Sequence, residues 1–308
     1  MITAASETPP LDTGGSRRPK KSGLLRALPR IFGATPPPVL VLLAILSIQL
    51  GAALAIDLFA TFGPVGTAFL RIAISAVLLA ALARPKLDGT LRKNLGLIVC
   101  YGIVLATMNA CFYMSIARIP LGVAVTIEFL GPLGVAVAAS RRPRDLLWVG
   151  LALAGVAILS PKIGGDLDPL GVLYAAIAGC MWALFVLISV RVGKTFEGGS
   201  GLALGMVVAT LVLLPVSWAS AGTLLTHPSL IIIVCAVALL STTVPLALEF
   251  EALKRMPPRV YGVLITLEPA IATLVGAILL GDGLGWRSLL AVACVVLASI
   301  GATLFEKR

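Results

Sequence analysis

Residues Ile119 to Leu133 read IPLGVAVTIEFLGPL: apolar over most of a membrane span, a proline near each end, and one carboxylate, Glu128, where hydrocarbon should be. A charge at the centre of a spanning helix costs roughly 2.5 to 3.5 kcal/mol on insertion scales, so Glu128 has to face protein or water. A later stretch, Ile265 to Ala272 (ITLEPAIA), repeats the pattern with Glu268 as its charge. Laying Pro132 on Pro269 also lays Pro120 on Pro257 and Arg118 on Arg255. Three coincidences at one offset indicate an internal repeat of about 137 residues, close to half the chain.

Outward from these stretches the composition sets the class. Hydrophobic residues are 59% and charged residues 12% of the sequence, against about 45 to 50% and 25% in soluble domains. This is a polytopic membrane protein. Apolar runs of about 20 residues predict ten spans, at 39–56, 64–83, 95–114, 119–139, 146–159, 169–190, 200–218, 230–248, 260–280 and 286–305. Cys100, Cys111, Cys180, Cys235 and Cys294 all fall in apolar runs and read as small apolar filler, with no disulfide framework or metal-ligand spacing. Gly150 with Ala154 and Ala298 with Ala302 fit close helix approach, compatible with a homodimer face.

The excess of ten positive charges would suggest nucleic acid if it were spread over the chain, but it is not. With a cytoplasmic N-terminus, every Lys and Arg lies on the cytoplasmic side except Arg71 in the second span and Arg118, Lys162 and Arg287 in outer loops. That asymmetry follows the positive-inside rule and puts both termini in the cytoplasm. The expected organisation is a basic cytoplasmic tail (1–38), a first five-helix repeat (39–160), a linker (161–168), a second five-helix repeat (169–305) and a cytoplasmic C-terminus (306–308). No cleaved signal peptide is expected, because the positive region is extended and the following apolar run long. Within the tail, GLLRALPRIF could lie on the membrane surface. The fold class is therefore an all-α membrane protein with ten transmembrane helices in two repeats. An odd number of helices per repeat inverts the second copy, which places a substrate site near the midplane between the two.

Polar groups at membrane depth are the candidate site residues. Arg71 lies too deep to snorkel and needs an anionic partner or an aqueous cavity. A guanidinium binds a carboxylate through two parallel hydrogen bonds, which suits the acid group of an amino acid zwitterion. Glu128 or Glu268 would accept the ammonium, leaving the other as a spare carboxylate and a candidate proton carrier. The competing role for Arg71 is a permanent ion pair with Glu128 or Asp57, and for Glu268 the satisfaction of backbone groups freed by Pro269. Asn109 and Gln49 suit either ligand contacts or interhelical hydrogen bonds. Tyr113 and Trp182 are the aromatic candidates for the cavity wall. Glu249 and Glu251, beside Lys254 and Arg255, read as a solvated cluster at a cytoplasmic exit. The one histidine, His227, lies in an outer loop, so no histidine relay crosses the membrane. A P-loop, an HExxH motif and a Cys/His cluster are all missing, which argues against an ATP-driven pump or an enzyme; no metal or cofactor is implied.

SIQLGAALA in the first span, FLR at Phe69 to Arg71, MNACFYMSI in the third, PLGVAVTIEFLGPL followed by SRRPRDLLW, and LSTTVPLALE with LITLEPA near the end carry a resemblance. From about Pro38 to Phe305 the chain resembles the EamA-type exporters of the drug/metabolite transporter superfamily, most closely its threonine- and homoserine-exporting branch. The resemblance implies export of small amino acids or their analogues across a bacterial inner membrane; the spare carboxylate makes protons the expected coupling ions of a secondary transporter, and the two repeats are expected to alternate access. The alternative within the superfamily is export of drugs, organic cations or other metabolites.

Overall fold

The computed structural model describes residues 35–85, 89–139, 145–158, 167–196, 199–283 and 285–305. Among them the regular elements are all helical: α1 (Pro37–Ile56), α2 (Phe59–Ala83), α3 (Gly89–Lys93), α4 (Leu95–Ile116), α5 (Leu121–Glu128), α6 (Leu130–Ala139), α7 (Asp145–Ile158), α8 (Pro169–Thr195), α9 (Ser200–Thr226), α10 (Leu230–Ala238), α11 (Val244–Leu253), α12 (Pro258–Ile265), α13 (Glu268–Val275) and α14 (Trp286–Phe305). A π-helical turn, Leu239–Thr243, joins α10 to α11, and another, Gly276–Leu280, extends α13. Among the described residues seven stretches are long and apolar enough to cross a membrane: Pro37–Ile56, Phe59–Ala83, Leu95–Ile116, Pro169–Thr195, Ser200–Ser220, Leu230–Leu253 and Val260–Leu280. Leu121–Val135 and Trp286–Ala298 are shorter apolar helices. Outward-facing Leu82, Val216, Trp218 and Ile232 are largely exposed, as a lipid-facing surface requires. The basic tail up to residue 34, the cations Lys86, Arg141, Arg142, Arg144 and Lys162, most of the 161–168 linker and residues 306–308 lie outside the described residues.

Two of the expected continuous spans are broken, and proline is the cause. Pro132 has no N–H for the carbonyl of Glu128 four residues back, and α5 ends at Glu128. Pro269 deprives Ile265 in the same way, and α12 ends at Ile265. The second span starts earlier than expected, at Phe59, and kinks at Gly63, whose φ of 68° favours glycine. Thr67 Oγ1 donates to the Gly63 carbonyl across that kink (2.8 Å).

α2 packs on α9, α4 on α8 and α9, α1 on α11, α5 on α13, α6 on α8 and α7 on α14. Between helices in lipid, such contacts rest on close approach and hydrogen bonds more than on the hydrophobic effect. The tightest joins Gly131 to Gly179: a Cβ on Gly131 would collide with the Gly179 carbonyl, and one on Gly179 would meet the backbone of Glu128. α7 meets α14 through Gly155, which abuts Ala291 and Cys294, whereas the expected Gly150 faces open space. Ala298 is buried as expected and Ala154 is exposed. All five cysteines are free, and Cys100 and Cys180 are exposed, not buried as filler.

Candidate functional site

One cavity of about 320 Å³ takes its walls from both halves of the chain. Gln49, Arg71, Asn109, Tyr113, Glu128, Trp182 and Glu268, the seven residues singled out in the sequence, all line it. Its size is at the low end of the roughly 300–1,000 Å³ usual for small-molecule sites. A larger cavity of about 640 Å³ between α5–α6 and α8 is walled by Ile127, Leu130, Gly131, Val135, Cys180 and Leu187 and similar neighbours, and among the described residues it offers no charged side chain.

Arg71 sits 12 residues into α2, roughly 18 Å from its start at 1.5 Å per residue, and is 8% exposed. Its Nη2 donates to Asn109 Oδ1, its Nη1 reaches Thr242 Oγ1 at 3.5 Å, and its guanidinium lies over the Tyr113 ring, 5.2 Å from the centroid. Asn109 is itself held by a bond from Nδ2 to the Leu105 carbonyl (2.7 Å). These neighbours are neutral. Among the described residues no carboxylate comes within 4 Å of Arg71, and Arg71 Nε is buried without a hydrogen-bond partner. The permanent ion pair with Glu128 is not formed, and Asp57 is exposed in the turn between α1 and α2. A buried cation of this kind, oriented but not neutralised, is a ready site for an anionic group.

Glu128, at the end of α5, is buried and feels the charges of both Glu268 and Arg71. Glu268, at the start of α13, accepts a hydrogen bond from Gln49 Nε2 (3.2 Å). Gln49 Oε1 is buried with no partner. Trp182 stands edge-on to Phe129, the residue at the α5–α6 break, with centroids 5.6 Å apart.

Three cavity features were not assigned from the sequence. Glu249 lines the cavity together with Tyr261, so the solvated-cluster reading is corrected for it. Glu251 does behave as expected, pairing with Lys254 at 3.2 Å and Arg255 at 3.4 Å. Consecutive helical residues are turned by about 100°, so two positions separate the faces of Glu249 and Glu251. Ser241 and Thr242 also reach the cavity. They belong to the π turn whose next proline, Pro245, cannot donate to the Ser241 carbonyl; π turns of this kind gather at functional sites. The STTVP run was the available signal for it.

Away from the cavity, Asp282 accepts a hydrogen bond from the backbone N–H of Leu121 at the start of α5 (3.1 Å). Arg118 pairs with Asp168 at 3.4 Å, half-exposed.

Apolar helices of membrane-spanning length enclosing a small cavity lined by one guanidinium and three carboxylates fit the class of multi-pass membrane transporters. Residues 169–304 match the EamA-like transporter family, and the chain belongs to it. The threonine/homoserine exporter RhtA of Escherichia coli (strain K12) is 41% identical over 276 residues, spanning 88% of this chain and 92% of its own. RhtA of Salmonella typhimurium (strain LT2) matches to the same extent, and the uncharacterized transporter YwfM of Bacillus subtilis (strain 168) is 29% identical over 160 residues, 51% of this chain and 54% of its own. A crystal structure 22% identical in sequence covers 88% of this chain and 98% of its own with a TM-score of 0.55, a likeness of fold alone.

Proposed function

We propose that the cavity binds a small amino acid such as threonine or homoserine, and that the protein exports it across the bacterial inner membrane by proton antiport. The observation that carries this reading is Arg71: buried, held by Asn109 and Tyr113, and without a carboxylate of its own. The cargo's carboxylate completes it, with Nε and one Nη as parallel donors. Glu128 or Glu268 takes the ammonium, and a carboxylate left over carries the proton. The exporters named above, alike over most of their length, support the cargo class.

Ten spans in two inverted five-helix repeats, with alternating access between them and both termini cytoplasmic, complete the proposal. The matched proline breaks support it, and so does the packing. Counting helices by repeat, α2–α9, α5–α13 and α7–α14 each pair a helix with its counterpart, while α4 on α8 mirrors α11 on α1. A twofold axis in the membrane plane produces that pattern.

A second reading, export of organic cations, draws on the excess of carboxylates over arginine in the cavity. Efflux of labelled threonine and homoserine from proteoliposomes separates the two. In the amino acid reading Arg71→Ala abolishes efflux; absent amino acid efflux in the intact protein, with cation export that survives Arg71→Ala, overturns it.

A further inference from the structure

We propose that Glu249, which shares the cavity wall with Tyr261, is a proton-coupling residue at the cytoplasmic end of the cavity, a role that rests on the proton-antiport reading above. Its position supports this. Glu249 lies four residues before the end of α11 at Leu253, whereas Glu268 lies ten residues beyond the start of α12 at Pro258. Glu128 is eight residues into α5, which enters from the opposite side. On the proposed topology the three carboxylates therefore form a ladder through one cavity, with Glu128 nearest the outside, Glu268 near the middle and Glu249 nearest the cytoplasm.

Charge balance explains why a third acid belongs there. Among the described residues the cavity holds one guanidinium, and a zwitterionic cargo adds no net charge, so three ionised carboxylates would leave two uncompensated charges at membrane depth. Bound protons remove them. The groups facing Glu249 are Tyr261 from α12, Glu268 from α13 and, across the cavity, Arg71 from α2 and Glu128 from α5; α1, packed along α11, presents neutral Gln49. Lys254 and Arg255 are engaged by Glu251 instead. Glu249 is thus a carboxylate beside the cytoplasmic exit with no ion-pair partner among the described residues. When the cavity opens inward, its O–H breaks, the proton passes to cytoplasmic water, and the carboxylate is left facing that water.

The alternative is that Glu249 and Tyr261 merely brace α11 against α12. Glu249→Gln separates the two roles, because the amide keeps the size and packing of the side chain but has no acidic proton to release. Full-length protein in proteoliposomes loaded with labelled threonine is assayed in two modes: efflux against an imposed proton gradient, and exchange with external threonine at equal pH. The expected result is loss of gradient stimulation in Glu249→Gln with exchange persisting, and recovery of stimulation in Glu249→Asp, which keeps the acid. Gradient stimulation that survives in Glu249→Gln overturns the proposal, as does loss of both modes in Glu249→Gln. An intact protein that exports threonine with no response to the gradient removes the antiport reading itself, and this inference with it.

Discussion

The segments Leu121–Ala139 and Pro258–Leu280 break at matching points for the same reason, yet present different chemistry at the break. In each, a proline withholds the N–H that the carbonyl four residues back would need, and the helix ends at that carbonyl's residue, Glu128 in one and Ile265 in the other. The acid comes before the break in the first segment and after it in the second. At the repeat position of Glu268 the first segment has Gly131, pressed against the Gly179 backbone of α8; Glu268 instead meets Gln49 of α1 through a hydrogen bond. At the helix starts, Leu121 donates its N–H to Asp282, while Pro258 has none to donate. The backbone plan repeats because its cause, proline, repeats; the side chains around it have diverged, so one crossing is closed by small-residue contact and the other by polar contact.

The sharpest way to break the comparison is Gly131→Leu. A side chain is native at the matching position 268, but at 131 it meets backbone that cannot yield, so the cost exceeds the ordinary overpacking penalty of about 1–3 kcal/mol. Loss of folded, monodisperse protein in detergent is expected; normal thermal stability would show that the α6–α8 contact is loose. Next in size, Glu128→Gln should insert and fold normally yet lower transport by on the order of tenfold or more, the scale of one charge-assisted contact. Transport at the intact level would make Glu128 a structural acid and leave Glu268 as the principal acid of the pair. The smallest effect belongs to the helix start. Asp282→Ala strands the Leu121 N–H and should cost about 1 kcal/mol, as for loss of a helix cap, read as a drop of a few degrees in Tm. Leu121→Pro makes the first start like the second, and proline is tolerated at a first helical position; in that background Asp282→Ala should change Tm little.

Much of the site was legible because hydrocarbon leaves charged and polar groups few places to go. Arg71, Glu128 and Glu268 in apolar runs had to turn inward, and the cavity that receives them also takes Gln49, Asn109, Tyr113 and Trp182. Glu249 was misread because it stands two residues from Glu251 and close to Lys254 and Arg255, and proximity in sequence hid a difference of helical face. Ser241 and Thr242 were missed because their inward turn depends on a π segment, which periodicity at 3.6 residues per turn does not register.

The sequence by itself determined the membrane class, the apolar runs, the points where Pro132 and Pro269 interrupt them, and the inward demand of the intramembrane charges. Each follows from a local cost: an unpaired backbone group or an ion in lipid is expensive wherever its neighbours lie. Only the tertiary structure decided that Arg71 rests on Asn109 and Tyr113 instead of a carboxylate, that Gly155 and not Gly150 carries the α7–α14 contact, and that Glu249 faces the cavity. Those outcomes depend on the phase and register of one helix against another, and interhelical packing alone sets them.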